Sequence, residues 1–298
     1  MIVSVSRRTD IPALYAEWFI NRLHEQFVYV RNPFNKNAIS RISLAPNDVD
    51  CLVFWTKNPE PLIQYLPQLC AYPFYVLCTI TGYGRDIEHN VPSAQTVIES
   101  LCKLSDAIGK KRTIWRYDPI LISNTCTVEY HIRQFSYILS CLHSKIETCV
   151  ISFFDYYDSC KKKIVDSSVR EPTIEEIEQI AEHFSQLAKK YGIKIQTCAE
   201  QYDLEKYGIK HGSCIDGELI EQITGKKVQA RKDTYQRSLC QCVESVDIGE
   251  YNTCSHDCVY CYANKNIELA KQALANHNPQ SPLLIGAVLS TDIIRNRK

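Results

Sequence analysis

The sequence PTIEEIEQIAEHFSQLAKKYGIKIQT, residues 172–197, shows most clearly how this chain is built. Its apolar residues recur at steps of three and four, the spacing of an amphipathic helix; they are Ile174, Ile177, Ala181, Phe184 and Ala188. Thr173 and Glu176 form a capping-box pattern at the start, and Gly192 is a stop signal at the end. A short apolar run follows at residues 193–197. We therefore predict a helix that leads directly into a strand.

The same alternation of β-rich runs and helical patterns extends over most of the chain. Seven strands are predicted, at residues 2–5, 51–55, 75–80, 113–117, 149–154, 193–197 and 246–251. Strands that alternate with helical crossovers indicate a parallel sheet. We expect an α/β fold, namely a full or partial TIM-type (β/α) barrel, in which the residues after each strand face a common mouth.

The chain has 298 residues, enough for a sizeable core, and we predict a single α/β barrel-like domain over residues 1–298. Residues 199–245 are polar and irregular, which predicts a long functional loop. Residues 246–276 are predicted to form the last βα unit. The alternating pattern of residues 27–44 predicts a small hairpin.

Charge and hydropathy limit the expected partners. Lysine plus arginine equals aspartate plus glutamate, 34 each, so the net charge does not indicate a nucleic-acid partner. No apolar run approaches the roughly 18 residues of a membrane helix, and the first residues lack the apolar core of a secretory signal. We expect a cytoplasmic protein with no membrane partner. In that reducing compartment its 15 cysteines are expected to be thiols or metal ligands.

Five cysteines are bunched near the end of the chain, whereas most of the others lie singly in apolar patterns, where cysteine acts as a small buried hydrophobe. Three of the five stand in Cys254-Ser255-His256-Asp257-Cys258-Val259-Tyr260-Cys261, which reads CxxxCxxC. Three thiolates at this spacing can hold three irons of a 4Fe–4S cluster, whereas full ligation by cysteine takes four. One iron is left open. An amino and a carboxylate group can chelate it, as at the methionine end of S-adenosylmethionine.

This spacing, with Tyr260 in the aromatic position, resembles the signature of the radical S-adenosylmethionine superfamily. Residues 247–253 and the Tyr260-Cys261-Tyr262 run are also similar to an uncharacterised domain-of-unknown-function family that extends over nearly the whole chain. The resemblance implies that Cys254, Cys258 and Cys261 bind a 4Fe–4S cluster. It further implies S-adenosylmethionine as cofactor, a 5′-deoxyadenosyl radical that abstracts hydrogen from an unknown organic substrate, and an electron donor such as ferredoxin or flavodoxin.

The position of the triplet departs from the superfamily pattern, since it follows the last predicted strand instead of the first. We expect a circular permutation that keeps the first strand beside the cluster strand. On this basis the resemblance implies that Arg7, Arg8, Asp10 and Tyr260 lie at the cofactor.

Charged residues follow several other strands. Arg116 and Glu200, with Asp118 and Asp155, are predicted to bind the cofactor or polar groups of the substrate. A salt-bridge network that closes the barrel mouth remains the alternative.

A possible second metal site is predicted from the cysteines of the polar C-terminal third, namely Cys198, Cys214, Cys240 and Cys242. Four thiolates can bind an auxiliary iron–sulfur cluster or a zinc ion, and unrelated buried cysteines remain the alternative. His256 is expected to be a solvent-facing loop residue. Two other functions also stay open: a non-radical barrel enzyme with a structural zinc or closed iron–sulfur site, and an iron–sulfur electron carrier.

Overall fold

A computed structural model describes residues 1–158, 160–164 and 167–297. Its strands are β1 Ile2–Val5, β2 Phe27–Arg31, β3 Ala38–Ser43, β4 Cys51–Thr56, β5 Phe74–Thr79, β6 Thr113–Ile120, β7 Thr148–Phe153, β8 Lys194–Cys198, β9 Lys210–Gly212, β10 Val246–Asp247 and β11 Ile293–Arg297. Its α-helices are α1 Ile11–Leu14, α2 Ala16–Glu25, α3 Glu60–Ile63, α4 Ala94–Ile108, α5 Val128–Leu142, α6 Lys161–Ile164, α7 Ile174–Tyr191, α8 Gly217–Thr224 and α9 Ile267–Ala275.

The central element is an eight-stranded parallel sheet in the order β10-β1-β4-β5-β6-β7-β8-β9. This order confirms the predicted α/β fold with a parallel sheet and helical crossovers, and it is compatible with a barrel-like arrangement. Within the described part of the chain β9 and β10 are not paired, so the strands do not close into a barrel.

Helices cover one face of the sheet because their apolar stripes and the strands bury each other's surface. Trp115 of β6 stacks on Phe135 of α5 at a ring distance of 4.8 Å, and Phe135 stacks on Phe184 of α7 at 3.7 Å. The sequence defines α7 correctly: the capping box of Thr173 and Glu176 is formed, and Gly192 ends the helix in the left-handed conformation.

The other face of the sheet is covered by the segment 213–243, which contains α8. Side chains such as Val53, Tyr75 and Val150 form one buried cluster with Ile215 and Ile220 of this segment. The Tyr75 hydroxyl also donates to the carbonyl of Cys214 at 2.6 Å. The covering segment is therefore part of the core and not a peripheral loop.

Two sequence predictions need correction. The strand predicted at 246–251 ends at Asp247, because the chain turns there to begin the cysteine-bearing loop. The segment 199–245 is not wholly irregular, since it holds β9 and α8; three- and eight-residue elements are too short to give a clear periodic signal. The hairpin predicted at 27–44 is formed by β2 and β3, and β11 adds to it in parallel.

None of the helices in the described chain combines the length and the apolar character that crossing a membrane requires.

Candidate functional site

The carboxyl ends of the parallel strands meet at one edge of the sheet, and the loop of residues 248–266 that follows β10 packs there. We call it the cysteine loop because it carries Cys254, Cys258 and Cys261. β10 lies parallel to β1, with Val3 opposite Val246 and Ser4 opposite Asp247. The first strand and the strand before the cysteine loop are therefore neighbours, as the sequence predicted.

Asp10 fastens the cysteine loop to the sheet. Its Oδ1 accepts from the backbone N–H of Ala13 at 3.0 Å and caps α1, while its Oδ2 accepts from the backbone N–H of Lys57 at 2.7 Å. The same Oδ2 lies 2.8 Å from Nε2 of His256, which is buried. The prediction that His256 faces solvent is therefore wrong: both oxygens of Asp10 and one ring nitrogen of His256 hold the loop to two strand ends.

Backbone hydrogen bonds join the cysteine loop to the segment that follows β5. The backbone N–H of Val259 donates to the carbonyl of Ile87 at 3.0 Å, and that of Asn90 donates to the carbonyl of His256 at 3.0 Å. From the other side the hydroxyl of Tyr15 donates to the carbonyl of Thr253 at 2.6 Å. The loop is thus ordered by backbone bonds on both flanks, which fixes the position of its thiols.

A close approach at Gly249 sets where the loop begins. A Cβ at this glycine would lie 2.6 Å from Cβ of Ser6 and 3.2 Å from Cγ2 of Thr9. Any larger residue would push the loop away from the segment that follows β1. This close contact explains a glycine that the sequence alone left without a role.

Of the three cysteines in the loop, Cys258 is buried and Cys254 and Cys261 are half-buried. Burial, followed by the charge of Asp10 and that of Cys261, raises the pKa of Cys254 to about 12. Burial also raises the pKa of Cys258, against the opposing effect of Lys57. The charges of Glu88, Cys261 and Cys254 add to that increase. With their pKa values raised, Cys254 and Cys258 stay protonated at neutral pH until a cation replaces their protons.

A buried cation lies beside Cys258. Nζ of Lys57 contacts Oε1 of Glu88 at 2.7 Å, and the same oxygen accepts from Thr81 Oγ1 at 2.9 Å and from the hydroxyl of Tyr260. Burial opposes the charge on Lys57, but the charges of Glu88 and Cys258 outweigh it and raise the lysine pKa. The sequence placed Lys57 after a strand but gave no signal for Glu88, which the fold brings to the site.

Arg7 and Arg8 lie beside the cysteine loop. The Arg7 guanidinium packs over Trp55 with its carbon 5.5 Å from the ring centre, and its Nη2 donates to Ser245 Oγ at 3.2 Å. The Arg8 guanidinium packs over Tyr251 at 5.2 Å. Around them three buried polar atoms have no hydrogen-bond partner among the described residues; they are Nε of Arg7, Oγ1 of Thr9 and Oδ1 of Asn264.

Arg116 and Glu200, the other two predicted cofactor-binding residues, are both engaged by protein groups. Arg116 forms a salt bridge with Asp118. Oε1 of Glu200 accepts from Ser152 Oγ and from the backbone N–H of Phe153, both at 2.8 Å. Burial raises the pKa of Glu200 to about 7, although these two hydrogen bonds oppose the shift. The observed contacts fit the predicted salt-bridge network for Arg116 and leave Glu200 as a buried carboxyl next to Cys198.

The second group of predicted cysteines converges in space. Sγ of Cys214 lies 3.0 Å from Sγ of Cys198, at the end of β8. Cys242 is in hydrogen-bonding contact with the thiols of Cys214 and Cys240, and its own Sγ accepts from the backbone N–H of Ile215 at 3.3 Å. We call Cys198, Cys214, Cys240 and Cys242 the thiol quartet.

The quartet divides into two acidic and two weakly acidic thiols. Hydrogen bonds from Cys214 and Cys240 lower the pKa of Cys242 to about 2, and one from Cys214 lowers the pKa of Cys198. The same bonds raise the pKa values of Cys214 and Cys240, because each holds the proton that its neighbour releases. These contacts thus favour the thiolate form of Cys198 and Cys242 and the protonated form of Cys214 and Cys240.

Neither cysteine group is already arranged as the ligand shell of a single metal ion. In the described part of the chain, no three or more His, Cys, Asp or Glu side chains form such a group. A cavity of about 280 Å³ lies at the opposite, amino-terminal edge of the sheet, where Lys111, Glu147 and Lys194 line it. Cys214 of the quartet also lines this cavity, whereas no residue of the cysteine loop does. In barrel-like folds the amino-terminal edge is associated with stability and not with chemistry.

The fold and this edge define an α/β protein with an open parallel sheet and a three-cysteine loop beside its first strand. Residues 2–263 match the family model described as "Domain of unknown function (DUF1848)", and the chain belongs to this family. The predicted membership of a domain-of-unknown-function family that extends over nearly the whole chain is thereby confirmed. No curated protein matches the sequence significantly.

One solved structure has a weak likeness to the chain. It is that of a candidate alpha-L-fucosidase from Bacteroides thetaiotaomicron VPI-5482, with 12% sequence identity and a TM-score of 0.28. The match extends over 62% of this chain and 76% of that one. A TM-score this low supports no inference about fold or activity.

Proposed function

We propose that the chain is a radical S-adenosylmethionine enzyme in which Cys254, Cys258 and Cys261 bind a 4Fe–4S cluster. The observation that carries the proposal is the position of these three cysteines on one ordered loop that follows β10, the neighbour of β1, at the carboxyl edge of a parallel sheet. Catalytic groups of barrel-like α/β proteins lie at that edge. The neighbouring positions of β10 and β1 support a circularly permuted, partial barrel.

Residues around the cysteine loop leave buried polar atoms that a bound cofactor could hydrogen-bond. Oγ1 of Thr9 and Oδ1 of Asn264 are buried without partners in the described chain, and Nδ2 of Asn264 donates to the carbonyl of Cys254. A buried polar atom without a partner costs roughly 1–3 kcal/mol, so such atoms mark a place where a ligand can supply a hydrogen bond.

When bound, the cluster and S-adenosylmethionine supply a 5′-deoxyadenosyl radical that abstracts a hydrogen atom from an organic substrate. The chain's own residues hold and tune that site. Lys57 places a positive charge next to Cys258 and stabilises its thiolate. Glu88 holds Lys57 and the hydroxyl of Tyr260 in place, which fixes the residue just before Cys261.

The groups that hold S-adenosylmethionine are proposed among the predicted residues. Arg8 and Arg7 are the cations nearest the start of the cysteine loop, and the Arg7 Nε is free to donate to a carboxylate. Asp10 and Tyr260 act as positioning residues, because their polar atoms already bind protein groups. Arg116 and Glu200 lie further along the edge and are proposed to face the substrate, with an electron donor such as ferredoxin or flavodoxin reducing the cluster.

The test is cofactor cleavage by anaerobically reconstituted protein. Wild-type protein with dithionite and S-adenosylmethionine should form 5′-deoxyadenosine, measured by liquid chromatography with mass detection. Cys258→Ala should lower the rate at least a hundredfold because the cluster loses one of three ligands. Cys141→Ala, at a half-buried cysteine of α5, is the matched control and should keep wild-type activity.

Two results would contradict the proposal. Protein that takes up zinc and no iron on reconstitution would indicate a non-radical enzyme with a structural metal. A stable redox cluster whose spectrum and potential do not respond to S-adenosylmethionine would indicate an electron carrier.

A further inference from the structure

The thiol quartet brings together parts of the chain that are distant in sequence. Cys198 ends β8, Cys214 follows β9, and Cys240 and Cys242 stand near the end of the covering segment. Cys214, Cys240 and Cys242 are buried in the cluster that joins this segment to the sheet. The quartet therefore links one strand end to both ends of the segment that covers the open face.

Two buried cations lie beside these four sulfurs. Arg7 and Arg116 both interact with the charges of Cys214 and Cys242, and Arg116 also interacts with Cys198. Nε of each arginine is buried without a hydrogen-bond partner among the described residues. Buried cations require a nearby negative charge: Asp118 forms a salt bridge with Arg116, and the charge of Asp247 acts on Arg7 but is shared with Arg8 at 3.9 Å. Four thiolates around one divalent cation carry two net negative charges, which these arginines can balance.

The sulfurs of the quartet are not arranged as a ligand shell without metal, but their close approach suits a single ion better than a cluster. In a tetrahedral zinc site with Zn–S distances of about 2.3 Å, neighbouring sulfurs stand roughly 3.8 Å apart. The observed Cys198–Cys214 separation of 3.0 Å is shorter than this spacing. Zinc binding would remove the shared protons and move the sulfurs slightly apart. A 4Fe–4S cube, by contrast, takes each thiolate on a different iron and needs a wider separation.

The covering segment has little regular structure of its own to hold it in place. Between β8 and β10 the described chain has only β9 and α8 as regular strand and α-helix, and much of the segment's surface is exposed. Structural zinc contributes folding energy directly to segments that cannot bury enough apolar surface.

We propose that Cys198, Cys214, Cys240 and Cys242 bind one Zn²⁺ ion as a structural site that joins the covering segment, residues 213–243, to the end of β8. Arg7 and Arg116 neutralise its charge. This inference does not rest on the radical chemistry: the two sites use different cysteines and different metals.

The test is per-cysteine alkylation of wild-type protein, prepared without oxygen, with zinc added alone. Mass spectrometry then reports the modified fraction of each cysteine. Zinc should slow alkylation of the quartet at least tenfold while the exposed Cys70 stays reactive. One zinc per chain should remain after gel filtration. Because the readout is resolved by residue, protection of the triplet is scored separately from protection of the quartet.

Two variants sharpen the result. Cys242→Ser should weaken zinc binding at least a hundredfold, while Cys51→Ala, a buried cysteine of the same core cluster, should bind zinc as wild type does. Cobalt in place of zinc should give thiolate charge-transfer absorption that Cys242→Ser lacks. The proposal is overturned if zinc leaves the quartet as reactive as before, if iron and sulfide occupy it, or if Cys198 and Cys214 are isolated as a disulfide.

Discussion

The two cysteine groups differ in how close their members lie along the chain and in how close they lie in the fold. The triplet Cys254, Cys258 and Cys261 is compact in sequence, and its sulfurs interact mainly through their charges in one buried loop. The quartet is spread from β8 to the end of the covering segment, yet its sulfurs are in hydrogen-bonding contact. A spacing motif therefore reveals the first group, and only the folded chain reveals the second.

Under the two proposals, this difference corresponds to two modes of metal binding. Separated thiolates beside one lysine suit a cluster that spreads its ligands over several irons. Thiols in contact beside two arginines suit one ion with a compact tetrahedral shell. The same chain can then hold a reactive metal at the edge of its sheet and a structural metal in its core.

The largest expected effect is that two variants each lose a different metal. Cys258→Ala should lose most of the iron of reconstituted protein and keep its zinc, whereas Cys242→Ser should lose zinc and keep iron. Iron, zinc and sulfide per chain are measured on the same samples, with circular dichroism as the check of folding. If either folded variant lost both metals, the two cysteine groups would not be independent sites, and the comparison would fail.

The buried Lys57–Glu88 pair should affect the triplet strongly. Glu88→Gln should lower the free energy of unfolding by about 3–5 kcal/mol, because it leaves the lysine charge buried without a partner. Glu60→Gln removes the exposed Lys103–Glu60 pair and should cost about 1 kcal/mol or less. Urea unfolding of the apoprotein measures both. Equal losses would show that Lys57 is effectively solvated and cannot tune Cys258.

Acid would remove metal from both proposed sites, so the acid sensitivity of the fold itself is measured on the apoprotein. Burial lowers the pKa of His131, between Tyr117 and the carbonyl of Leu121, to about 4, below the ordinary 6.5. This neutral histidine stabilises the fold fully above about pH 6.5, and its contribution is lost as pH falls through 4.

The loss from His131 should total about 3 kcal/mol. Urea unfolding of apoprotein at pH 7 and pH 4.5 measures it. His131→Gln should give a flatter pH dependence than wild type, while His183→Gln, on the exposed side of α7, should not change it. An unchanged slope in His131→Gln would assign the acid sensitivity to other groups.

The smallest effect is expected at the start of the cysteine loop. Gly249→Ala should cost about 1–3 kcal/mol, because its Cβ would collide with Ser6 and displace the loop. Gly217→Ala, in the first turn of α8, meets only Val243 at 3.4 Å and should be neutral or slightly stabilising. Thermal unfolding and iron content are the readouts. Full iron content in Gly249→Ala would show that the triplet tolerates a shifted loop.

Local sequence patterns predicted most of the sheet and its long helices. The α7 helix carries its apolar stripe, its capping box and its terminal glycine within one continuous stretch, so nothing distant was needed to define it. β1 was predicted with its observed bounds, because four successive residues are buried on both faces of a parallel sheet. The position of β1 beside β10 followed from the order of strands in a barrel-like fold.

Features set by tertiary contact were missed. Nothing near Glu88 in the sequence indicates that Lys57, Thr81 and Tyr260 will converge on one of its oxygens. His256 was expected in solvent because its loop is polar, yet Asp10 holds it inside. α8 and β9 were missed because they are short and are held by the covering contacts more than by their own pattern.

The most direct test of the central claim is Mössbauer spectroscopy of ⁵⁷Fe-reconstituted protein, recorded with and without S-adenosylmethionine. If Cys254, Cys258 and Cys261 hold three irons of one cube, a single iron of four should change its spectrum when the cofactor is added. Four irons that all remain unchanged, or a protein that binds no iron, would contradict the account.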